Sequence, residues 1–98
     1  MEKSITTKVP QGKLLKITVE SDESVIINIK ICGDFFLYPE EELEHLEQLL
    51  RYHPIDKDLL HYMIDAFMKQ NSVEMYGITV DALVDGIMAC AKQGSDVQ

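Results

Sequence analysis

Beyond residue 19 this 98-residue chain has little positive charge: five basic side chains stand against sixteen acidic ones, a net of −11. A surface of that sign repels the phosphates of duplex nucleic acid and the anionic face of a membrane, so neither is expected as a partner. No apolar run approaches the roughly 18 residues of a membrane-spanning helix. The opening residues, MEKSITTK, also lack the apolar stretch of a signal peptide, and a cytoplasmic protein is expected. The two cysteines, Cys32 and Cys90, have neither metal-ligand spacing nor the density of a secreted disulfide scaffold, so both are expected as reduced thiols. Internal repeats, low-complexity linkers, a nucleotide-binding loop and any nucleophile, base and acid constellation are missing too. That excludes an autonomous enzyme.

What remains is the composition of an ordinary folded domain, with 46% hydrophobic and 27% charged residues. A chain of this length buries only about 65% of the surface its unfolded form exposes, so its stability margin is modest and a partner matters. Residues 1–19 reverse the general charge: Lys3, Lys8, Lys13 and Lys16 face Glu2 alone, a net of +3. Residues 1–13 are read as a basic N-terminal arm suited to meet a phosphate or an acidic patch, with Lys3 in its solvated, frayed part.

Residues 14–93 read as one α+β domain. Leu15, Ile17 and Val19 alternate with Lys16, Thr18 and Glu20, the pattern of a half-buried strand. After the turn residues SDES at 21–24, Val25, Ile27, Ile29 and Ile31 alternate with Asn28 and Lys30, which completes an antiparallel hairpin. A short third strand is expected over Phe35 to Tyr38. Pro39 suits a first helical position and Glu40, Glu41 and Glu42 suit the positive end of the helix dipole, with Leu43, Leu46, Leu49 and Leu50 as the apolar stripe. The spacing predicts a second helix over 57–70 capped by Asp56. A third is capped by Thr79, has Leu83, Ile87 and Ala91 inward, and stops at Gly94. Residues 94–98 are expected to fray. Strands first and helices afterwards imply a small antiparallel sheet, a hairpin plus a short third strand, covered on one face by about three helices.

Few residues point to chemistry. His45, His53 and His61 form no close pair with another ligand and read as surface histidines. The glutamates of the first helix read as a solvated face, and Cys32 as a small buried thiol at a strand end. Phe35 and Phe36 stand out. Adjacent residues of a strand point to opposite faces, so if one fills the core the other is exposed, covered by the arm, or seated in a partner's pocket.

The stretches KVPQGKLLKITVE (8–20), GDFFLYPEEELEHLEQLL (33–50) and YGITVDALVDGIMACA (76–91) resemble the C-terminal accessory domain of lipoate-protein ligases. The resemblance covers roughly residues 8–93, and GDFF followed by proline and an acidic helix is its most specific part. In some archaea this domain is a free-standing small subunit, and a Met-initiated chain of this length looks like that form. The resemblance implies a fold similar to that of iron-sulfur scaffold and sulfur-transfer accessory proteins, and a non-catalytic role.

In such ligases the catalytic subunit holds lipoate and ATP with magnesium, forms lipoyl-adenylate, and passes the lipoyl group to a lysine of an acceptor domain. The accessory part resembles a lid, docking beside that site as a heterodimer and serving adenylation; it binds no cofactor by itself. Closing such a site excludes water from a reactive acyl-adenylate. On this resemblance Gly33, Asp34, Phe35 and Phe36 form one contact with the catalytic subunit, and Lys8, Gly12 and Lys13 form a second. The rival reading rests on CGD at 32–34, which also occurs in iron-sulfur scaffolds, and makes the chain a scaffold-like or sulfur-transfer protein using Cys32. A cluster needs about three cysteine ligands, and two are present.

Overall fold

Two sheets and three helices build the molecule, described here over residues 1–9 and 13–96 of a computed structural model. In chain order they are β1 (Glu2–Lys8), β2 (Leu14–Asp22), β3 (Val25–Gly33), β4 (Phe36–Tyr38), α1 (Glu42–Leu50), α2 (Lys57–Gln70), β5 (Glu74–Tyr76), α3 (Val80–Gln93) and β6 (Ser95–Asp96). The larger sheet has the antiparallel order β3-β2-β1-β6, and β4 pairs with β5 in a separate ribbon. The expected α+β class therefore holds, with helices on one sheet face, but the strand membership differs.

Of the stretch read as a basic arm, residues Glu2–Lys8 form a strand, and residues 10–12 lie outside the described residues. All seven residues of β1 pair with β2, from Glu2 opposite Glu20 to Lys8 opposite Leu14. Its polar alternation gave little hydrophobic signal, since Ile5 is its one large apolar residue; what holds it is ladder pairing and polar clasps. The N-terminal ammonium donates to Ser21 O, and Thr18 Oγ1 donates to Ser4 Oγ. Lys3 is no frayed end: its Nζ donates to Ala91 O in the last turn of α3, where a cation complements the helix dipole. Part of the tail is also ordered, because Ser95 and Asp96 pair with Ser4 and Lys3, while Val97 and Gln98 lie outside the described residues.

The β2–β3 hairpin forms as expected around Glu23 and Ser24, both at positive φ, the geometry that matches strand twist in a two-residue loop. The buried positions of β3 are Ile26, Ile29 and Ile31, whereas Val25 and Ile27 are only partly buried. A bulge explains the odd spacing: Ser21 pairs with Ile26 and Glu20 with Asn28, which leaves Ile27 as the extra residue and shifts the alternation by one.

Leu15, Ile17, Val19, Ile26, Ile29 and Ile31 form the hairpin's share of the core. Leu46 and Leu50 of α1, Leu60 and Ile64 of α2, and Leu83, Val84 and Ile87 of α3 close over them. Asp56 accepts from Leu59 N–H and Thr79 from Ala82 N–H, so α2 and α3 begin at the expected caps. Gly94 caps the end of α3, as expected. Helix α1 begins later than expected. Pro39 lies in a preceding turn whose carbonyl accepts from Glu42 N–H, and Glu41 is the cap.

Two readings of α1 change. Leu49 is exposed, and Glu47 is buried rather than part of a solvated face. The carboxylate of Glu47 accepts from Ile31 N–H at 2.7 Å, and Arg51 Nε donates to Ile27 O at 3.0 Å. Both bonds satisfy outward backbone groups of β3, the edge strand, and Tyr52 and His53 bond to Ile26 beside them. Helix α1 is thus an edge cover as much as a core layer.

Candidate functional site

Gly33 and Asp34 decide where the chain leaves β3. Gly33 has φ of +153°, and a Cβ there would stand 2.2 Å from Leu14 O, so only glycine lets the strands approach. Asp34 then donates its backbone N–H to Leu14 O at 2.9 Å, and its side chain accepts from Leu14 N–H at 3.4 Å. Leu14 follows Lys13 and pairs with Lys8, while Val9 N–H donates to Lys13 O. The two sequence segments singled out above, around Lys8 and Lys13 and around GDFF, therefore meet at one end of the sheet. Lys8, Lys13 and Asp34 are exposed there; Gly12 lies outside the described residues.

From Asp34 the chain enters the β4–β5 ribbon. Phe35 packs half-buried against the core, and Leu37 is fully buried. Phe36 points the other way and is 54% exposed, with Tyr38 at 64% beside it. Opposite Phe36 sits Tyr76, their rings stacked with centroids 5.0 Å apart, and Glu74 stands opposite Tyr38. The Tyr76 hydroxyl donates to Glu74, and that bond is the main cause raising its pKa above the ordinary tyrosine value. Gly77, at φ of +88°, lets the chain pass within contact distance of Asp34 and Phe35 before Ile78 and Thr79 open α3.

The exposed end thus carries three aromatic rings, two lysines and Asp34. Tyr38 was discoverable from strand alternation, being two residues beyond Phe36. Tyr76 had no local signal, because it joins by a pairing forty residues away in sequence. Next to the same end, α3 and β1 flank a groove of about 320 Å³ touched by Lys8 and Thr79.

The thiols do not converge. Cys32 is exposed on the solvent face of the sheet, across from Lys16, rather than buried as its strand-end position implied. Cys90 is buried beneath the opposite face, with its Sγ donating to Lys3 O at 3.3 Å, and burial pushes its pKa up. Among the described residues, no helix is long and apolar enough to cross a membrane.

Residues 2–87 match the family described as the bacterial lipoate protein ligase C-terminus. The chain belongs to that family. Two known proteins are similar to this chain over different lengths. Lipoate-protein ligase A subunit 2 of Thermoplasma acidophilum is 41% identical over 44 residues, which are 45% of this chain and 47% of that one. The aligned stretch thus spans about half the length of that curated relative. A solved chain from an archaeal lipoylation system, a bi-partite lipoate protein ligase and its E2 lipoyl domain from Thermoplasma acidophilum, superposes with a TM-score of 0.77. It is 30% identical, with 89% of this chain and 94% of that chain covered. The α+β architecture of this ligase domain is thus shared nearly end to end.

Proposed function

We propose that this chain is the accessory subunit of a two-component lipoate-protein ligase. It docks on a separate catalytic subunit and is needed for the ATP-dependent activation of lipoate to lipoyl-adenylate. The observation that carries this reading is the likeness, over 89% of this chain and 94% of that one, to a solved chain of an archaeal system with a bi-partite lipoate protein ligase. The end of the sheet bearing Lys8, Lys13, Asp34 and Phe36 is the docking surface: stacked, exposed aromatics make rigid anchors, and the lysines are the basic groups of an acidic chain best placed to face an anionic substrate or an acidic rim.

Lipoate and ATP with magnesium are substrates held by the catalytic subunit, and the acceptor lysine belongs to a lipoyl domain met through it. The chain works as a heterodimer in the cytoplasm. The rival use of Cys32 in sulfur transfer or cluster assembly finds no support in the placement of the thiols, which lie on opposite sides of the sheet. The test is a titration of the chain into a catalytic subunit from the same source, following lipoate-dependent pyrophosphate release. The expected result is no turnover by the chain alone and a signal that saturates at equimolar subunits. Full activity of the catalytic subunit without the chain would refute the reading.

A further inference from the structure

The two edges of the main sheet are finished differently. Along β3, Glu47, Arg51, Tyr52 and His53 bond to the outward backbone groups of Ile31, Ile27 and Ile26. Along β1, strand β6 pairs with Lys3 and Ser4; it runs antiparallel and begins opposite Ser4, so it does not reach Thr6.

The register identifies the groups left over. Val9 N–H donates to Lys13 O and Met1 O accepts from Ser21 N–H. In β1 the odd-numbered residues therefore turn their backbone polar groups toward β2, and the even-numbered ones turn theirs outward. Ser4 faces β6. Among the described residues, nothing bonds to the outward N–H and C=O groups of Thr6 and Lys8, and both residues are exposed. The groove described above lies along this stretch, with Thr7 and Val9 on one wall and Ala82, Gly86 and Ala89 of α3 on the other, where Asp81 and Asp85 also line it, mostly exposed and paired with His61 and Lys57.

We propose that the Thr6–Lys8 edge receives a short extended segment of the catalytic subunit, which adds a strand to the sheet by backbone hydrogen bonding. The proposal rests on the accessory-subunit reading. Side chains of the added strand alternate between two environments. Those on the helix side enter the groove over Ala82, Gly86 and Ala89 and are small and apolar. Those on the solvent side lie beside Lys8, with Lys16 on the next strand, and are acidic. A second copy of this chain is a poor occupant, because it brings a net charge of −8 against −8. The open edge also runs into the end that carries Lys13, Asp34 and Phe36, so strand and aromatic ribbon form one surface.

Residue-resolved amide hydrogen exchange on the full chain, free and saturated with the catalytic subunit, tests this. In the complex, exchange at Thr6 and Lys8 is expected to slow at least about tenfold more than at Thr7 and Val9, whose N–H groups already serve β2. Thr6→Pro removes one outward donor at an edge position where proline is tolerated, and is expected to weaken binding at least about tenfold while Thr6→Ala binds within about twofold of the unmodified chain. Binding and adenylation without selective protection at Thr6 and Lys8 would overturn the added strand and leave the accessory reading standing. No binding would overturn both. Protection of these amides in the chain alone, with a doubled mass, would assign the edge to a second copy and overturn the proposal.

Discussion

Phe35 and Phe36 are neighbours of one residue type with different surroundings, and their variants should separate two properties. Phe35→Ala is expected to cost about 3 kcal/mol in urea unfolding, because its ring packs on the core. Phe36→Ala should leave stability within about 1 kcal/mol and lower affinity for the catalytic subunit by about 2 kcal/mol or more, read by titration calorimetry. Equal stability losses with unchanged affinity would remove Phe36 as an anchor. Strand alternation made the opposite orientations readable from the sequence; which ring is outside depends on how Gly33 and Gly77 aim the ribbon, a long-range matter. The same distinction governs the thiols. Cys90 has a raised pKa from burial, so the folded state resists its ionisation. A group whose folded pKa lies above its unfolded one contributes stability that is complete below the unfolded value and is lost as pH rises through the folded one. Stability should therefore fall as the pH rises above about 9, the ordinary thiol value. Cys90→Ala, although less stable at pH 7, should show a shallower decline over the same alkaline range; parallel curves would contradict the assignment.

Among the elements, β3 and α1 show how an edge strand is made safe. Glu47 is an acid in an acidic helix, and nothing local marks it as buried; its role comes from the N–H of Ile31, which the sequence places sixteen residues earlier. Glu47→Ala strands that donor and is expected to cost about 1–3 kcal/mol, measured as a shift of the urea midpoint at constant slope. A change below about 0.5 kcal/mol would mean that water replaces the carboxylate. The β2–β3 loop offers the opposite case. Ser24 occupies a positive φ of 64° that glycine adopts without a Cβ penalty, so Ser24→Gly should raise stability by about 0.5–1 kcal/mol. The capped helices α2 and α3 and the β2–β3 hairpin could be read from the chain because their signals are local: Asp56, Thr79, alternating apolar residues. Strand β1 and the β4–β5 pairing could not, since a polar strand and a three-residue strand gain their stability from partners distant in sequence.

At the scale of the molecule, charge is sorted. A chain of net −8 keeps Lys8 and Lys13 at the end where Gly33 and Asp34 clamp the start of β2. Lys13 is held by its carbonyl, which accepts from Val9 N–H at 2.8 Å, so its side chain projects from a fixed backbone. If Lys13 faces charge that develops during adenylation, Lys13→Ala should slow that step about tenfold or more in the saturated complex. A variant that only associates more slowly, in a salt-dependent way, would reduce Lys13 to a steering charge. The two motifs were readable in the sequence; their meeting at one end of the sheet was not, because it depends on the Leu14–Asp34 bonds and on Gly77 passing beside Phe35. The most direct measurement separates the two half-reactions of the ligase. Single-turnover formation of lipoyl-adenylate, and transfer of the lipoyl group from pre-made lipoyl-adenylate to an acceptor domain, are each followed with the catalytic subunit alone and with this chain at saturation. Adenylate formation is expected to require the chain, and transfer is expected to proceed at a similar rate with or without it. Adenylation at full rate by the catalytic subunit alone, or a requirement for the chain confined to transfer, would contradict the account.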